Sequence, residues 1–261
     1  MNTPAMSSVS SPDPGTMDLS AYAVEAAVEQ SHWWFNGRRR LFTHEIARLH
    51  LAPEAPILDI GTGTGANLRV LKTLGFRNIV GFDLSDDAIR YCASKGLGAV
   101  RRGDICALPT TSDSINLVMA TDIVEHVDDD ALALREIARV LAPGGHAMIA
   151  VPAFPSLWGR QDEVSHHKRR YRRRQLEELV STSGLRPARV FYFNYLLFAP
   201  IWLVRQAIRI LRLPLDSELQ INRPLLNRLL TLTFALDIET ARRLRIPFGV
   251  SLFCLAKKPA T

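Results

Sequence analysis

The segment ILDIGTGTGAN, residues 57–67, determines how the rest of the chain is interpreted. An apolar run that contains Asp59 leads into Gly61, Gly63 and Gly65, which stand at every second position before a helical pattern begins. Glycines allow a tight turn and a close approach of a ligand to the backbone, and the helix N-terminus offers free N–H groups. A dinucleotide-binding turn would have the spacing G-x-G-x-x-G, so this spacing suits a ligand without a pyrophosphate. A glycine-rich turn without any ligand is the simpler alternative.

A second acidic residue supports ligand binding at the same place. Asp83 ends the next apolar run, IVGFD at residues 79–83. In nucleotide-binding α/β folds, an acid at the end of the second strand accepts hydrogen bonds from ribose hydroxyls. The two acids and the glycines together therefore predict a ribose-containing ligand.

Apolar runs alternate with helical patterns along most of the chain, which indicates βαβ units and a parallel sheet. The runs lack alternating polar residues, as is typical of strands covered on both faces. Residues 18–51 predict two helices on either side of HWWFNG, and residues 195–246 predict a mostly helical segment. The predicted strands are 57–61, 79–83, 99–104, 115–122, 146–152, 188–194 and 248–258, and the predicted helices are 67–75, 85–96, 128–145 and 173–184.

Composition argues against several classes of protein. Residues 1–17 are rich in Ser and Pro and lack a basic region followed by an apolar run, so we expect a disordered tail and not a secretory signal. Cys92, Cys106 and Cys254 form no CxxC pair, which argues against a disulfide framework and a zinc site. We therefore expect no metal and a reducing, cytoplasmic location. The apolar stretch 195–204 is shorter than the about 20 residues that a transmembrane helix needs.

Charge is distributed unevenly. Residues 1–155 contain 13 Lys and Arg against 18 Asp and Glu, whereas residues 156–261 contain 19 against 8. The most basic tract is VSHHKRRYRRRQ, residues 164–175. Such a tract can bind nucleic acid, an anionic membrane or an acidic substrate, and composition does not choose among them.

Five segments in a fixed order resemble the class I S-adenosylmethionine-dependent methyltransferases of type 11. They are LDIGTGTG (58–65), GFDLS (81–85), RRGDICALP (101–109), INLVMATDIVEHVDD (115–129) and RVLAPGGHAMIAVP (139–152). The resemblance implies an α/β, Rossmann-like fold with a seven-stranded, mostly parallel sheet in the order 3-2-1-4-5-7-6. It also implies N-terminal helices, a methyltransferase core and a helical insertion between strands 6 and 7. The corresponding boundaries are 18–55 for a helical lid, 56–194 and 247–261 for the core, and 195–246 for the insertion.

Three further segments resemble a narrower group. HWWFNGRRR (32–40), DEVSHHKRRY (162–171) and IPFGVSLFCLAKK (246–258) are similar to bacterial methyltransferases associated with surface polysaccharides or lipid-linked sugars. This second resemblance suggests a class of acceptor without identifying the molecule.

The resemblance implies S-adenosylmethionine as the cofactor and assigns residues to it. The three glycines would bracket its methionine part, Asp59 would anchor its ammonium group, and Asp83 would accept from its ribose. Asp104 and the backbone of Ile105 would bind the adenine edge, although Asp104 can also be an ordinary turn residue. The full expected set is Asp59, Gly61, Gly63, Gly65, Asp83, Leu84, Asp104, Ile105, Thr121 and Asp122, with the last two beside the sulfonium.

Three histidines are candidates for a general base, because a base with a pKa near the working pH favours proton removal from a hydroxyl acceptor. His126 follows the fourth predicted strand, where a residue that packs the loop is an equally good interpretation. His166 and His167 follow the fifth strand, on the side where α/β folds bind ligands. As neighbours they are expected to point in different directions, and His167, beside Lys168, is favoured as the inward one.

In the family, the loop after strand five helps to form the acceptor pocket. We therefore interpret the basic tract as a pocket segment that faces an acidic or phosphorylated acceptor, with Lys168, Arg169 and Tyr171 as substrate contacts. A charged surface turn is the alternative. Trp34 and Arg38 are expected to contact the substrate, or the cofactor carboxylate, from the N-terminal lid. Their alternative role is to staple the N-terminal helices to the sheet.

The segment IWLVRQAIRILRL, residues 201–213, predicts a basic amphipathic helix, because Arg205, Arg209 and Arg212 share one helix face. Such a helix can lie at an anionic membrane interface or pack on the core with an arginine edge. Both interpretations stay open at this point.

The expected function is methyl transfer to a small-molecule or lipid-linked sugar acceptor, at oxygen rather than nitrogen. The expected location is cytoplasmic, with peripheral contact at the inner face of the membrane left open. Nucleic acid is not an expected partner, because ATDIVEH (120–126) lacks the Asn/Asp-Pro-Pro-aromatic stretch of amino-methylating nucleic-acid enzymes and no Pro-Cys nucleophile is present. A nucleic-acid methyltransferase and a non-catalytic regulator that binds the cofactor are the alternatives.

Overall fold

The computed structural model describes residues 19–211, 223–244 and 246–260. The predicted tail at 1–17 and Arg212 lie outside the described residues. Within these ranges, none of the helices is both long enough and apolar enough to cross a membrane. The strands are β1 (Ile57–Ile60), β2 (Ile79–Asp83), β3 (Val100–Arg102), β4 (Ile115–Thr121), β5 (Leu141–Pro152), β6 (Arg186–Phe193) and β7 (Ser251–Lys257). The helices are α1 (Leu19–Val28), α2 (Trp33–Ala47), α3 (Ala66–Thr73), α4 (Asp86–Ser94), α5 (Asp130–Val140), α6 (Arg160–Val164), α7 (Arg173–Thr182), α8 (Phe198–Leu211) and α9 (Pro224–Ala241).

The described strands form one sheet in the order β3-β2-β1-β4-β5-β7-β6. Strands β1 to β5 pair in parallel, whereas β7 runs antiparallel to both β5 and β6. This arrangement confirms the predicted Rossmann-like α/β fold, its strand order, the N-terminal helices and the helical segment between β6 and β7.

Helices cover both faces of the sheet, which explains why its central strands β1, β4 and β5 are largely apolar on both faces. In β4, Val118 and Ala120 belong to a core shared with α5 and α7, whereas Leu117 and Met119 belong to a core shared with α2, α3 and α9. Successive side chains of a strand point to opposite faces. The central strands are therefore buried on both sides, and their carboxyl ends are held in fixed positions.

The segment HWWFNG does not separate two helices as predicted. Helix α2 begins at Trp33, with His32 as its N-cap, and the Nδ1 of His32 accepts a hydrogen bond from the backbone N of Trp34 at 3.3 Å. The Trp34 ring stacks on Phe234 of α9, with ring centroids 5.6 Å apart. Gly37 allows this contact, because a Cβ there would lie 2.0 Å from the Phe234 ring.

The helix predicted over 128–145 ends earlier, and residues 141–145 belong to β5. Pro143 lacks a backbone N–H, and the residue before a proline is disfavoured in the helical conformation. The chain therefore leaves α5 after Val140 and enters the sheet, where Leu141 pairs with Ile115 of β4. By contrast, the predicted N-cap Ser85 is confirmed, since its side chain accepts from the backbone N of Ala88.

Gly65 should contribute more to stability than a glycine in an open turn. It has a φ of +92°, and a Cβ there would lie 2.3 Å from the Cδ1 of Leu97 and 3.0 Å from the Sγ of Cys92. Gly75 has a φ of +88°, but its Cβ would have nothing within 4 Å. We expect Gly75→Ala to lower the free energy of unfolding by about 1–2 kcal/mol through the left-handed backbone alone. Gly65→Ala should lower it by about 1–3 kcal/mol more, because the methyl group overpacks the core.

Urea denaturation of the two variants measures this difference. Equal losses in both would show that close packing at Gly65 contributes nothing beyond its backbone conformation.

Candidate functional site

The carboxyl ends of β1, β2 and β4 meet at one edge of the sheet, and the glycine turn lies over that edge. Gly61 and Gly63 have φ values of +69° and +55°, in the region that favours glycine. A Cβ on Gly61 would lie 2.9 Å from side-chain atoms of Ile123. The absence of a side chain at Gly61 therefore leaves room for Ile123 to pack against the turn.

Asp83 joins the end of β2 to this turn. Its Oδ2 accepts a hydrogen bond from the backbone N of Gly63 at 2.8 Å, and its Oδ1 accepts from that of Ser85 at 2.9 Å. Burial raises the pKa of the Asp83 carboxyl, although these backbone hydrogen bonds act in the opposite direction. Each carboxylate oxygen has a second lone pair, so Asp83 can also accept from hydroxyl groups of a ligand.

Asp59 lies beneath the turn and is completely buried. Its Oδ1 accepts from the side-chain amide of Asn67 at 2.9 Å, and the same amide donates to the Oγ1 of Thr121 at 2.9 Å. The Oδ2 of Asp59 has no hydrogen-bond partner among the described residues. Burial raises the pKa of this carboxyl to about 7. An unpaired, buried carboxylate oxygen is costly, so this position suits a cationic group of a ligand.

A cavity of about 340 Å³ opens beside the turn, and we call it the first cavity. Asp104 lines this cavity. Its Oδ1 also accepts a hydrogen bond from the backbone N of Cys106 at 2.8 Å, as the aspartate of an ordinary turn does. In the described part of the chain, three of the expected cofactor residues do not line this cavity. They are Asp59, Thr121 and Gly65, which is the N-cap of α3. The expected cofactor residues that do line it are Gly61, Gly63, Asp83, Leu84, Asp104, Ile105 and Asp122.

A second cavity of about 480 Å³ adjoins the first and shares Gly61, Gly63, Asp122 and His126 with it. Its apolar wall comes from α2, α8, α9 and the segment between β6 and α8. That wall includes Trp33, Trp34, Phe35, Phe42, Leu197, Pro200, Ile201, Val204, Ile208, Leu226 and Leu230. Its polar lining includes His32, Arg38, Thr121, Gln161, Ser165, His167, Arg170, Asn194 and Arg205.

Arg38 and Asp122 form an ion pair where the two cavities meet. The Arg38 guanidinium lies 5.7 Å from the centroid of the Trp34 ring and 5.1 Å from that of Phe42. Asp122 adopts a φ of +54°, which turns the chain sharply after β4. Trp34 lines the second cavity, where a ligand contact would be made. It also stacks on α9, as a residue that staples the N-terminal helices would.

His167 is held in place by a buried carboxylate. Its Nδ1 lies 2.8 Å from the Oδ1 of Asp162, and its Nε2 lies 3.9 Å from the Oε1 of Glu125. Arg170 donates to both oxygens of Asp162, at 2.8 and 3.0 Å. Burial opposes ionisation of Asp162, but the hydrogen bonds from His167 and Arg170 prevail and lower its pKa to about 2. An ionised Asp162 can only accept, so Nδ1 carries a proton and Nε2 is left as the acceptor.

The other two candidate histidines have different surroundings. His126 lines both cavities, and its ring meets His167 edge-on with centroids 4.7 Å apart. Burial, together with the nearby basic groups of His167, His166 and Lys168, lowers the pKa of His126 to about 3. His166 is exposed, with a φ of +52°, and in the described part of the chain it lies outside the lining of both cavities.

The basic tract is extensively ion-paired with acidic side chains of the same chain. Lys168 pairs with Asp128 and lines the first cavity, not the second. Arg169 lies 2.9 Å from Asp130, and the hydroxyl of the buried Tyr171 donates to Asp130 at 2.8 Å. Both side chains bind Asp130 at the start of α5. Within the part of the chain that the structure describes, neither Arg169 nor Tyr171 lines either cavity.

Part of the chain matches a known protein family. Residues 58–149 match the family described as "Methyltransferase domain". A protein of Mycolicibacterium smegmatis named a probable S-adenosylmethionine-dependent methyltransferase is 24% identical over 177 residues, which cover 66% of each chain. A protein of Mycobacterium tuberculosis with the same kind of name is 26% identical over 149 residues, or 56% of this chain and 52% of the relative. The alignments thus span between half and two thirds of these two relatives.

Solved structures show the same fold. The complex of the Haloferax volcanii Trm112 methyltransferase activator with a putative methyltransferase aligns with a TM-score of 0.62 and 21% identity, covering 92% of this chain and 95% of that one. The Haemonchus contortus phosphoethanolamine N-methyltransferase 2 bound to S-adenosylhomocysteine aligns with a TM-score of 0.59 and 17% identity, covering 92% and 57%.

Residues 58–149 therefore match a methyltransferase domain, and the chain is similar to probable S-adenosylmethionine-dependent methyltransferases over half to two thirds of its length. S-adenosylmethionine is the cofactor of such methyltransferases, and the residues at the glycine turn of this chain fit it. The unpaired Oδ2 of Asp59 suits an ammonium group, the free lone pairs of Asp83 suit ribose hydroxyls, and Gly61 and Gly63 line the first cavity.

The contribution of α1 to the site was not predicted from the sequence. Glu29 is buried and pairs with Arg69 at 3.1 Å and Lys95 at 2.9 Å, and it accepts from the Oγ1 of Thr64 in the glycine turn. These contacts fix α1 over the turn, where Tyr22 enters the lining of the first cavity and Glu25 that of the second. Only tertiary contacts bring α1 here, because its residues lie outside the segments that carry the family resemblance.

Asn194 is a second residue that the sequence did not single out. It is completely buried at the end of β6, has a φ of +58° and lines the second cavity. Its backbone N donates to Asp237 at 2.7 Å, but its side-chain Oδ1 and Nδ2 have no partner among the described residues. A buried amide without partners is costly, so Asn194 is suited to hydrogen-bond a ligand in this cavity.

Binding of S-adenosylhomocysteine should depend on the charge of Asp59. Below its pKa of about 7 the carboxyl is protonated and cannot pair with an ammonium group. We therefore expect calorimetric titration to show weaker binding at pH 6 than at pH 8. Asp59→Asn should weaken binding at pH 8 by about 10–100-fold, as expected for a charged hydrogen bond, and should reduce the pH dependence.

Glu25→Gln is the matched control, because burial raises the pKa of Glu25 to about 7 as well. If Glu25→Gln removes the pH dependence and Asp59→Asn retains it, Asp59 is not the anchor of the ammonium group.

Proposed function

We propose that this methyltransferase transfers a methyl group to a hydroxyl oxygen of a small-molecule or lipid-linked sugar acceptor bound in the second cavity. The observation that carries this proposal is the position of His167. It lines a cavity that adjoins the first one, and Asp162 leaves its Nε2 as a hydrogen-bond acceptor.

The shape of the second cavity suits an amphiphilic acceptor. Its polar residues gather at the carboxyl ends of the strands, where His126, His167 and Asn194 lie, while its apolar wall comes largely from α2, α8 and α9. A sugar or its phosphate would lie at the polar end, near Arg38 and Arg205. An apolar chain would lie along the helices.

These positions indicate what the cofactor and the protein each contribute to the reaction. S-adenosylmethionine, when bound, supplies an electrophilic methyl group. The protein's own residues align the acceptor, exclude water and remove the hydroxyl proton. His167 can take that proton at Nε2, because Asp162 stabilises the imidazolium that forms. His126 is a poor base at neutral pH, since its pKa is about 3.

An exposed apolar face supports the peripheral membrane contact that we include in the proposal. Leu225, Leu229, Leu232 and Leu236 of α9 are each more than half exposed, and their spacing places them on one helix face. Leu226 and Leu230 of the same helix line the second cavity. A membrane-bound acceptor could therefore enter the cavity beside this face. Arg205 of α8 is buried, whereas the side chain of Arg209 lies outside the description, so the basic helix face is not the basis of this contact.

Replacing His167 should slow the reaction without affecting the cofactor. In a screen of soluble and lipid-linked sugars with labelled S-adenosylmethionine, we expect His167→Asn to lower kcat by about 100–10,000-fold. S-adenosylhomocysteine binding should be unchanged.

His166→Asn is the control, because asparagine tolerates the left-handed backbone at that position and the side chain is exposed. Full activity of His167→Asn would exclude the histidine as the base. Methylation of RNA but of no sugar would replace the acceptor class proposed here.

Acidic substitutions on the α9 leucine face should weaken membrane binding. We expect the double variant Leu229→Glu and Leu232→Glu to sediment less with phosphatidylglycerol-containing vesicles than the wild type, because burial of apolar side chains in the interface is lost. Leu74→Glu, on an exposed leucine of another surface, is the control. Equal sedimentation of all three proteins would exclude this face as the membrane contact.

A further inference from the structure

Three potential metal ligands meet below the second cavity. Glu125 and His126 lie in the 3₁₀ turn Val124–His126 that follows β4, and His167 lies in the loop after α6. One ligand atom from each lies within 4.8 Å of the others. Zinc–nitrogen and zinc–oxygen distances of about 2.0–2.2 Å place ligand atoms up to roughly 4 Å apart, so small side-chain rotations would close the site.

Glu125 is the member that most needs a partner. It is completely buried, and neither of its carboxylate oxygens has a hydrogen-bond partner in the described ranges. The nearby arginines bind other carboxylates, since Arg38 pairs with Asp122 and Arg170 with Asp162. A buried carboxylate without a partner must be neutralised by a proton or by a cation.

Both histidines are arranged as metal-binding histidines usually are. Such a histidine donates its second ring N–H to a carboxylate or a backbone carbonyl, which directs the other nitrogen to the metal. Asp162 holds the Nδ1 of His167, so the Nε2 faces Glu125 at 3.9 Å. His126 forms a hydrogen bond with the backbone of Ser165.

We propose that Glu125, His126 and His167 bind a divalent transition-metal ion, with Asp162 as the outer carboxylate of His167. Two imidazoles and one carboxylate suit Zn²⁺, Mn²⁺, Fe²⁺ or Co²⁺ better than Mg²⁺, which prefers oxygen ligands. Three protein ligands leave coordination positions open, and His126 and His167 both line the second cavity. An acceptor hydroxyl could occupy one of those positions.

This inference rests on the proposed function only for the identity of that hydroxyl. With a metal ion bound, the Nε2 of His167 is a ligand and the ion lowers the pKa of the coordinated hydroxyl. Without a metal ion, His167 acts as the base. The two roles of His167 are therefore alternatives that metal binding distinguishes.

The test is binding of Co²⁺ and Zn²⁺ to the full chain without a histidine tag. We expect visible absorption of bound Co²⁺, one Zn²⁺ per chain by calorimetry, and a higher Tm with Zn²⁺. Glu125→Gln should weaken Zn²⁺ binding by about 100-fold and remove the Tm rise. This variant should still fold, because it removes an unpaired buried acid.

His44→Asn is the matched control. The Nε2 of His44 lies 3.0 Å from the Oε1 of Glu239 at the surface, so it is another histidine beside a glutamate. We expect its metal binding to equal that of the wild type. No Co²⁺ or Zn²⁺ binding by the wild type, or equal binding by Glu125→Gln, would overturn the inference.

S-adenosylhomocysteine titration of the same samples separates this inference from the proposed function. Binding of S-adenosylhomocysteine without metal binding would overturn the metal site and leave His167 as the base. Metal binding without S-adenosylhomocysteine binding would support the site and remove the basis of the proposed methyl transfer.

Discussion

The burial of carboxylates at the carboxyl edge of the sheet is the constraint on which this structure depends. Parallel strands end at one edge, and the chain places acidic residues there in or just after the strands. Burying a carboxylate is costly unless it is paired or hydrogen-bonded. Asp83 is satisfied by backbone N–H groups of Gly63 and Ser85, and Asp162 by Arg170 and His167.

Two of these carboxylates keep unpaired oxygens within the described chain. Asp59 lies under the glycine turn, and Glu125 lies under the two histidines. Each is therefore a place where a cationic group would relieve an unfavourable burial. For Asp59 we expect that group to be the ammonium of the cofactor, and for Glu125 we have proposed a metal ion.

The second cavity depends on segments that are far apart along the chain. Helix α2 supplies Trp34, helix α9 supplies Phe234, and β6 supplies Phe193, and their rings stack on one another with centroids 5.6 to 6.3 Å apart. This stack holds the helices between β6 and β7 against the N-terminal helix. This wall of the second cavity therefore forms only when the sheet is complete.

The strand order was expected from the resemblance to a known family, but the sequence by itself determined the alternation of strands and helices and the place of the glycine turn. The reason is that a glycine turn, a strand-ending acid and alternating apolar runs are local patterns, and each acts through its own backbone or its nearest neighbours. Tertiary structure decided the roles of Glu29, Asn194 and the basic tract. Glu29 pairs across about 40 and 66 positions with Arg69 and Lys95, and the acidic partners of the tract lie in the loop before α5, on α5 and on α6. Such pairings depend on which elements the fold brings together, and no local pattern encodes them.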